Sequence, residues 1–151
     1  MSFIETDLST FLEVFKKLEV TSKPLWGNMS AQRMVEHLTD GINMSRGLGN
    51  HQLAVPTEKA EQLKQFLYTD KQMAQNIQVP FATTDITLRN ADLEDAIDEF
   101  TTTWVDYEEE KDEEPEKLAL HPFYGNLTRE EWLKVHAKHF THHFKQFGLM
   151  E

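Results

Sequence analysis

Two histidines near the end of the chain have the spacing of a metal-binding pair. His139 and His143 stand four residues apart within the helix-like segment 132–148. On an α-helix this spacing places both imidazoles on the same face, one turn apart. Helices that bind zinc through two histidines use the same geometry. Two histidines supply only two ligands, so the pattern indicates a transition-metal site that needs further ligands from elsewhere in the chain.

Other residues lie on the same stripe of this helix. His136 and Trp132 precede His139 on the stripe, and Gln146 follows it. Four of the seven histidines fall between residues 136 and 143. We interpret His136 as a residue that supports the site or the fold. Gln146 is placed to hydrogen-bond a ligand or a neighbouring helix.

Composition excludes several classes of function. The chain of 151 residues is long enough for one domain, 1–151, with a substantial core. It has no cysteine, which excludes disulfides, cysteine-zinc ribbons, iron–sulfur clusters and a cysteine nucleophile. The net charge of −11 argues against nucleic acid or an anionic membrane as partner, because clustered cations bind phosphates. Without a signal sequence or a membrane-spanning run, a cytoplasmic protein is expected.

Apolar residues recur at intervals of three and four in four segments, which predicts four long amphipathic helices. Ser30 is placed to cap the second of them. Val135 and Phe140 lie on the buried side of the fourth. The predicted helices span residues 4–19, 31–46, 91–110 and 129–147.

A long connection, residues 47–90, separates the second helix from the third. Thr57 is placed to cap a shorter helix at about 58–68. The polar segment from Asp70 to Gln78, followed by Pro80 and a threonine-rich stretch, predicts irregular structure.

The fourth helix has clear signals at both ends. Thr128 and Glu131 have the spacing of a capping box. Gly148 is placed at the position that follows a helix in a Schellman motif, with Leu149 packing back on Phe144. These local signals set the boundaries of the helix that carries the histidine pair.

Together the segments predict an all-α fold, a four-helix bundle with a long connection between its second and third helices. No strand pattern is evident. The predicted core contains Leu8, Phe11, Phe15, Met34, Leu38, Ile97, Phe100, Trp104, Val135 and Phe140.

Two parts of the sequence resemble the DinB/YfiT-like superfamily. The first is the motif L-W-G-N-M-S-A-Q-R-M-V-E-H-L at 25–38, and the second runs from H-P-F-Y-G-N-L-T-R-E-E-W at 121–132 to H-x-x-x-H-x-x-Q at 139–146. The resemblance covers about 25–46 and 120–149, and it is greatest to a bacterial branch whose members are called domains of unknown function. It implies the same four-helix bundle.

The resemblance also implies a set of metal ligands. In that superfamily a histidine on the second helix and an H-x-x-x-H pair on the fourth bind a divalent metal ion. By position this implies His37, His139 and His143. Three imidazoles with a fourth position open are typical of a catalytic site. Zinc is the expected ion, and a nitrogen-rich site also admits nickel, iron or manganese.

Two classes of function follow from the resemblance. The first is a divalent-metal-dependent enzyme, either a thiol-dependent S-transferase or a hydrolase, acting on a small-molecule or thiol substrate. The alternative is a non-catalytic helical bundle, with or without metal, that acts through binding or dimerisation. A hemerythrin-like di-iron protein is a weaker option, because the first and third helices supply no histidine. A homodimer is expected from superfamily habit and from three aromatics that look exposed, Tyr124, Phe144 and Phe147.

Further residues have predicted supporting roles. Each ligand histidine should donate its second ring nitrogen to an oxygen, and Glu36 and Asp40 are candidates for this. His121 precedes Pro122 in a turn and is a candidate for the open end of the bundle. His142 points away from His139 and is expected at the surface or in a subunit contact.

Overall fold

The computed structural model of the protein describes residues 2–75 and 87–151. Within these residues the fold is mostly helical, as predicted. In chain order the elements are α1 (Leu8–Phe15), α2 (Ala31–Ser45), α3 (Thr57–Lys64), a 3-10 helix (Gln65–Tyr68), α4 (Leu93–Glu113), β1 (Ala119–His121), β2 (Gly125–Leu127) and α5 (Arg129–Gln146). None of the helices in these two ranges combines the length and the hydropathy that crossing a membrane requires.

An aromatic cluster joins α1, α4 and α5 in the main core. The ring of Phe11 lies 4.9 Å from that of Trp104, 5.0 Å from Phe140 and 5.7 Å from Phe100 between centroids. All three contacts are edge-to-face, the geometry that aromatic quadrupoles favour. α2 packs along α4 and contributes Met34, among other residues, to the same core. This packing holds α2 and α5 at fixed positions.

Most of the predicted core residues are buried. Three are only partly buried: Leu8 and Ile97 pack against the main core, and Val135 packs against a second cluster that contains Leu127 and Trp132. On α4 and α5 the residues beside them are the buried ones, Ala96 and His136. The fully or almost fully buried members of the predicted set are Phe11, Phe15, Met34, Leu38, Phe100, Trp104 and Phe140.

The first helix is shorter than the predicted range 4–19. α1 begins at Leu8, and the extended segment before it is held by a hydrogen bond from the Ile4 amide to Thr141 Oγ1 at 2.9 Å. Ile4 and Leu18 are buried although neither is helical. The apolar periodicity therefore predicted correctly that these two residues are buried, but it overestimated the length of the helix.

The chain also contains a small sheet that was not predicted. β1 and β2 pair as an antiparallel hairpin, with Ala119 opposite Leu127 and His121 opposite Gly125. Gly125 has φ +80°, which the tight turn requires and which glycine adopts without steric strain. The all-α prediction is wrong on this point. Strands of three residues are too short to give an alternating pattern.

The predicted caps of α2 and α5 are confirmed. Thr128 and Glu131 form both hydrogen bonds of the capping box of α5. At the other end the Leu149 amide donates to the Phe144 carbonyl at 2.8 Å, and the Gly148 amide closes the shorter bond of the Schellman motif. The Ser30 side chain likewise caps α2.

The remaining boundaries need small corrections. α4 spans Leu93–Glu113 in place of 91–110, because Asp92 caps its start and the acidic run continues the helix. The short helix predicted at 58–68 is α3 followed by the 3-10 helix, with Pro56 and not Thr57 at the N-cap. Of the irregular stretch expected from Asp70 onward, residues 76–86 lie outside the described residues.

One argument for a homodimer is wrong. Phe144 and Phe147, which looked exposed in the sequence, are buried in the main core at 0% and 6% exposure. Tyr124 is half-buried. These aromatic rings therefore do not form an exposed apolar face. The homodimer stays a prediction based on the resemblance.

Candidate metal centre

The three predicted metal ligands lie on two helices in contact with each other. His37 is in the middle of α2, and His139 and His143 are one turn apart on α5. The capping box and the Schellman motif fix the two ends of α5.

The three imidazole rings form a nearly threefold arrangement. In each of the three pairs the ring centroids are 4.8 Å apart, with interplanar angles of 77° to 79°. One ligand nitrogen from each ring lies within 4.8 Å of the other two. The three side chains converge in the structure, as predicted. Metal binding by them stays a prediction.

The donor set of three imidazole nitrogens suits a divalent ion. Nε2 of His37 and Nε2 of His139 are 2.9 Å apart, a hydrogen-bond distance at which one nitrogen donates to the other. Two nitrogens on a tetrahedral zinc ion would be about 3.3 Å apart. These two rings would therefore separate by a few tenths of an ångström, and the proton shared between them would leave as an ion bound.

Burial keeps the three imidazoles neutral. It is the main cause that lowers the pKa of His37 to about 4, and the charge of Arg33 adds to it. Burial, followed by the proximity of His37, holds the pKa of His139 and of His143 well below the ordinary value. Metal ions bind imidazole only in its neutral form. The candidate ligands are thus in the binding form at neutral pH.

Gln146 orients one of the three rings. Its Oε1 accepts a hydrogen bond from His143 Nδ1 at 2.7 Å, while its Nε2 donates to the Trp26 carbonyl at 3.1 Å. Because the amide nitrogen is used on Trp26, the oxygen must face His143. The Nδ1 of His143 therefore carries the proton, and its Nε2 has the lone pair that a metal needs. The predicted partner of Gln146 was a ligand or a neighbouring helix, and the structure instead gives it His143 on its own helix and Trp26 in the chain before α2.

A glycine lets α2 and the ring of His139 approach closely. A Cβ atom at Gly41 would lie 3.3 Å from His139 Nδ1 and 3.4 Å from its Cε1. Gly41 stands one turn after His37 on α2. Glycine inside a helix is unfavourable by about 1 kcal/mol relative to alanine, so its presence here has a packing reason.

The three rings form part of the wall of a large cavity. Its volume is about 700 Å³, and all seven histidines of the chain are among the residues that line it. The apolar part of the cavity wall includes Trp26, Met29 and Phe66. Cavities of this size hold small molecules. The histidine triad is therefore at the wall of a site that is large enough for a substrate.

Comparison with known proteins gives a family for this chain. A family model described as "Protein of unknown function (DUF1569)" matches residues 1–150. The chain belongs to this family. No curated protein and no solved structure matches it. The DUF1569 match does not connect the chain to the DinB/YfiT-like superfamily, so its function has to be argued from the site.

Two further histidines of this DUF1569 protein are held in the cavity wall. His121 accepts a hydrogen bond from the Phe123 amide on Nδ1 at 3.1 Å and stacks on Tyr124 with centroids 4.3 Å apart. His136 is fully buried, and its Nε2 is 2.9 Å from Ser45 Oγ. Burial lowers the pKa of each to about 3. Both rings are neutral parts of the wall at neutral pH.

The expectation for His142 needs correction. It is half-buried, and its ring packs edge-on against Trp26 with centroids 5.5 Å apart. It also lines the cavity beside His143. A helical residue that points away from the triad can still face the cavity because the chain before α2 covers that side.

The two carboxylates considered as partners of the ligand histidines bind other groups. Glu36 is buried and accepts hydrogen bonds from the amides of Arg89 and Asn90. Asp40 lies in an ion pair with Arg89 at 2.9 Å and a longer one with Arg33 at 3.4 Å. They therefore fasten the segment before α4 to α2.

Two residues near the triad were missed from the sequence. Arg33 and Gly41 stand one turn before and one turn after His37 and line the same cavity. Their helical spacing from His37 places both residues near the triad once His37 is known to face α5. No feature of the two residues in isolation indicates their positions.

Proposed function

We propose that this protein is a divalent-metal-dependent enzyme of the DinB/YfiT-like type. His37, His139 and His143 would bind the ion, with zinc as the expected metal and nickel, iron or manganese as alternatives. The reaction would be transfer to a thiol or hydrolysis of a small molecule. Both reactions need an activated nucleophile.

The observation that carries this proposal is the threefold convergence of neutral imidazoles at the wall of a cavity. Three histidines placed for structural reasons alone have no need to turn their nitrogens toward one point. Here one nitrogen from each of the three rings lies within 4.8 Å of the other two. Three protein ligands leave a coordination position for a substrate, as is typical of catalytic zinc sites.

The chain's own residues would do the positioning. An ion in the site would act as a Lewis acid and lower the pKa of an oxygen or sulfur nucleophile. Gln146 would keep the Nε2 lone pair of His143 directed at the site. The apolar wall would exclude water from the reacting end of the substrate.

The same proposal includes the finer architecture and the assembly. We take α1, α2, α4 and α5, which share the main core, as the four helices of a DinB/YfiT-like bundle, and we expect a homodimer. Light scattering at micromolar concentration tests the assembly, and a monomer mass would contradict it.

Metal analysis tests the site. Protein purified without a histidine tag and loaded with zinc should retain about one ion per chain after desalting at pH 7.5. His37→Ala should remove most of it, because two imidazoles on one helix bind zinc far more weakly than three ligands do. His51→Ala is the matched control, since His51 lines the cavity outside the triad. It should keep the ion.

Two results would contradict the metal site. One is a stable protein that retains no ion after loading. The other is equal metal retention by His37→Ala and His51→Ala. Either result favours the alternative of a non-catalytic protein that acts through binding.

A further inference from the structure

An arginine lies in the cavity next to the histidine triad. Arg33 is one turn before His37 on α2, and its side chain is only 13% exposed. Within the described residues its guanidinium makes one hydrogen bond, to Asp40 at 3.4 Å. A guanidinium has five N–H donors in a planar fork that matches an oxyanion. Most of this donor capacity is available to a ligand in the cavity.

The charges around the cavity contrast with those of the whole chain. The chain has 26 acidic residues, yet among the described residues that line the cavity Asp40 is the only one. Asp40 is already bound by Arg89 at 2.9 Å. The cavity is therefore a locally positive region in an acidic protein. Such a region favours an anionic ligand over a neutral or cationic one.

Lys138 is the other cation that the described part of the chain contributes to the cavity wall, and its contacts are with the fold. Lys138 Nζ donates to the carbonyl oxygens of Thr69 and Lys71. It also lies 4.5 Å from the ring centroid of Phe3 and 4.3 Å from that of Phe66. These contacts hold the chain after the 3-10 helix against α5. Among the described residues of the cavity wall, Arg33 is left as the cation that can bind a ligand.

We propose that Arg33 is the anion-binding residue of the cavity and that its ligand is a small organic monocarboxylate with an apolar body. The carboxylate would lie on the guanidinium, and the body would lie against apolar wall such as Trp26 and Met29. A single arginine, partly balanced by Asp40, matches one negative charge and not two. This inference rests on the proposed function and names its substrate class, with the reacting group placed at the triad.

Isothermal titration with matched probes tests the proposal. The probes are 3-phenylpropionate, its neutral amide 3-phenylpropionamide, and phenyl phosphate. Wild type should bind the carboxylate about tenfold or more tightly than the amide, the value of a charge-assisted hydrogen-bond pair. Arg33→Gln should remove this preference and leave the affinity for the amide within about twofold. Arg33→Lys should keep part of the preference.

Arg46→Gln is the control variant. It removes an arginine that pairs with Glu110 at 2.8 Å and that does not line the cavity. The preference for the carboxylate should survive in this variant. Thermal unfolding of each variant shows whether it is folded, and its metal content shows whether the triad is intact.

Several outcomes overturn the proposal. They are equal binding of the carboxylate and the amide by wild type, a preference that survives Arg33→Gln, and tighter binding of phenyl phosphate than of the carboxylate. Loss of the preference on removal of the metal, with Arg33 intact, would show that the ion and not Arg33 binds the carboxylate. A wild-type protein that binds no metal but keeps an Arg33-dependent preference supports this inference and contradicts the proposed enzyme.

Discussion

At the residue scale, the orientation of His143 depends on one amide side chain. Gln146 accepts from His143 Nδ1 at 2.7 Å and is itself anchored to the Trp26 carbonyl. Neutral oxygen acceptors of this kind fix the tautomer of a metal-binding histidine and raise its basicity. Gln146 follows the last turn of the triad on the same helix. A single short segment of α5 therefore supplies two ligands and the group that orients one of them.

Two substitutions at position 146 should separate these effects. Gln146→Leu removes the acceptor and should weaken zinc binding about 10- to 100-fold. Gln146→Glu keeps an acceptor for His143 and should bind zinc at least as tightly as wild type. Both variants lose the hydrogen bond to the Trp26 carbonyl, so their difference isolates the acceptor. Competition with a chromogenic chelator measures the affinities, and equal weakening in both variants would show that the anchor to Trp26 matters more.

The site could be predicted from the sequence only in part. His139 and His143 follow from local helical spacing, which needs no knowledge of the fold. His37 is 102 residues away from His139, and only the resemblance connected the two. Whether Arg33 belongs to the site depends on which face of α2 is turned inward. Such long-range contacts are decided by tertiary packing, which leaves no pattern in a single sequence.

At the scale of elements, the site depends on how closely α2 approaches the side chains of α5. Gly41 is the point of contact, because a Cβ atom there would lie 3.3 Å from His139 Nδ1. This distance is shorter than ordinary van der Waals contact. Glycine, a weak helix former, therefore occupies position 41 because a larger residue would leave too little room for the His139 ring.

Gly41→Ala should show this conflict. Alanine in place of glycine inside a helix normally stabilises by about 1 kcal/mol. In wild type we expect less than this gain in the free energy of unfolding, together with weaker zinc binding, because the methyl group displaces the His139 ring. In the His139→Ala background the same substitution should give the full gain of about 1 kcal/mol. Urea unfolding of the four proteins measures the coupling, and additive effects would refute the contact.

Helix ends were predictable where the signal is local. The caps at Thr128 and Gly148 rest on hydrogen bonds within a few residues, and both are present. The first helix was overestimated because Ile4 is buried through a contact with Thr141, 137 residues along the chain. Burial of this origin imitates helical periodicity. The boundaries of α1 therefore could not be derived from its own residues.

At the scale of the whole molecule, the histidines whose pKa is lowered by burial all line one cavity. Burial lowers the pKa of His37 to about 4 and that of His121 and His136 to about 3. In the unfolded chain each would titrate near 6.5. Below pH 6.5 the unfolded chain therefore binds protons that the folded protein does not. The stability these groups contribute is fully present above pH 6.5 and is lost as the pH falls toward 4 and 3.

Stability of the metal-free protein should therefore fall well before the carboxylates titrate. Each of these histidines lowers the free energy of unfolding by about 1 kcal/mol for every pH unit below 6.5. Between pH 7.5 and 5.5 the free energy of unfolding should therefore drop by about 2–4 kcal/mol. The net charge of −11 shrinks over the same range, which reduces self-repulsion and acts in the opposite direction. Urea unfolding after treatment with a chelator, in 0.5 M salt to screen this repulsion, isolates the histidine effect. A free energy of unfolding that stayed constant down to about pH 4.5 would mean that the cavity histidines are protonated, and hydrated, in the folded protein.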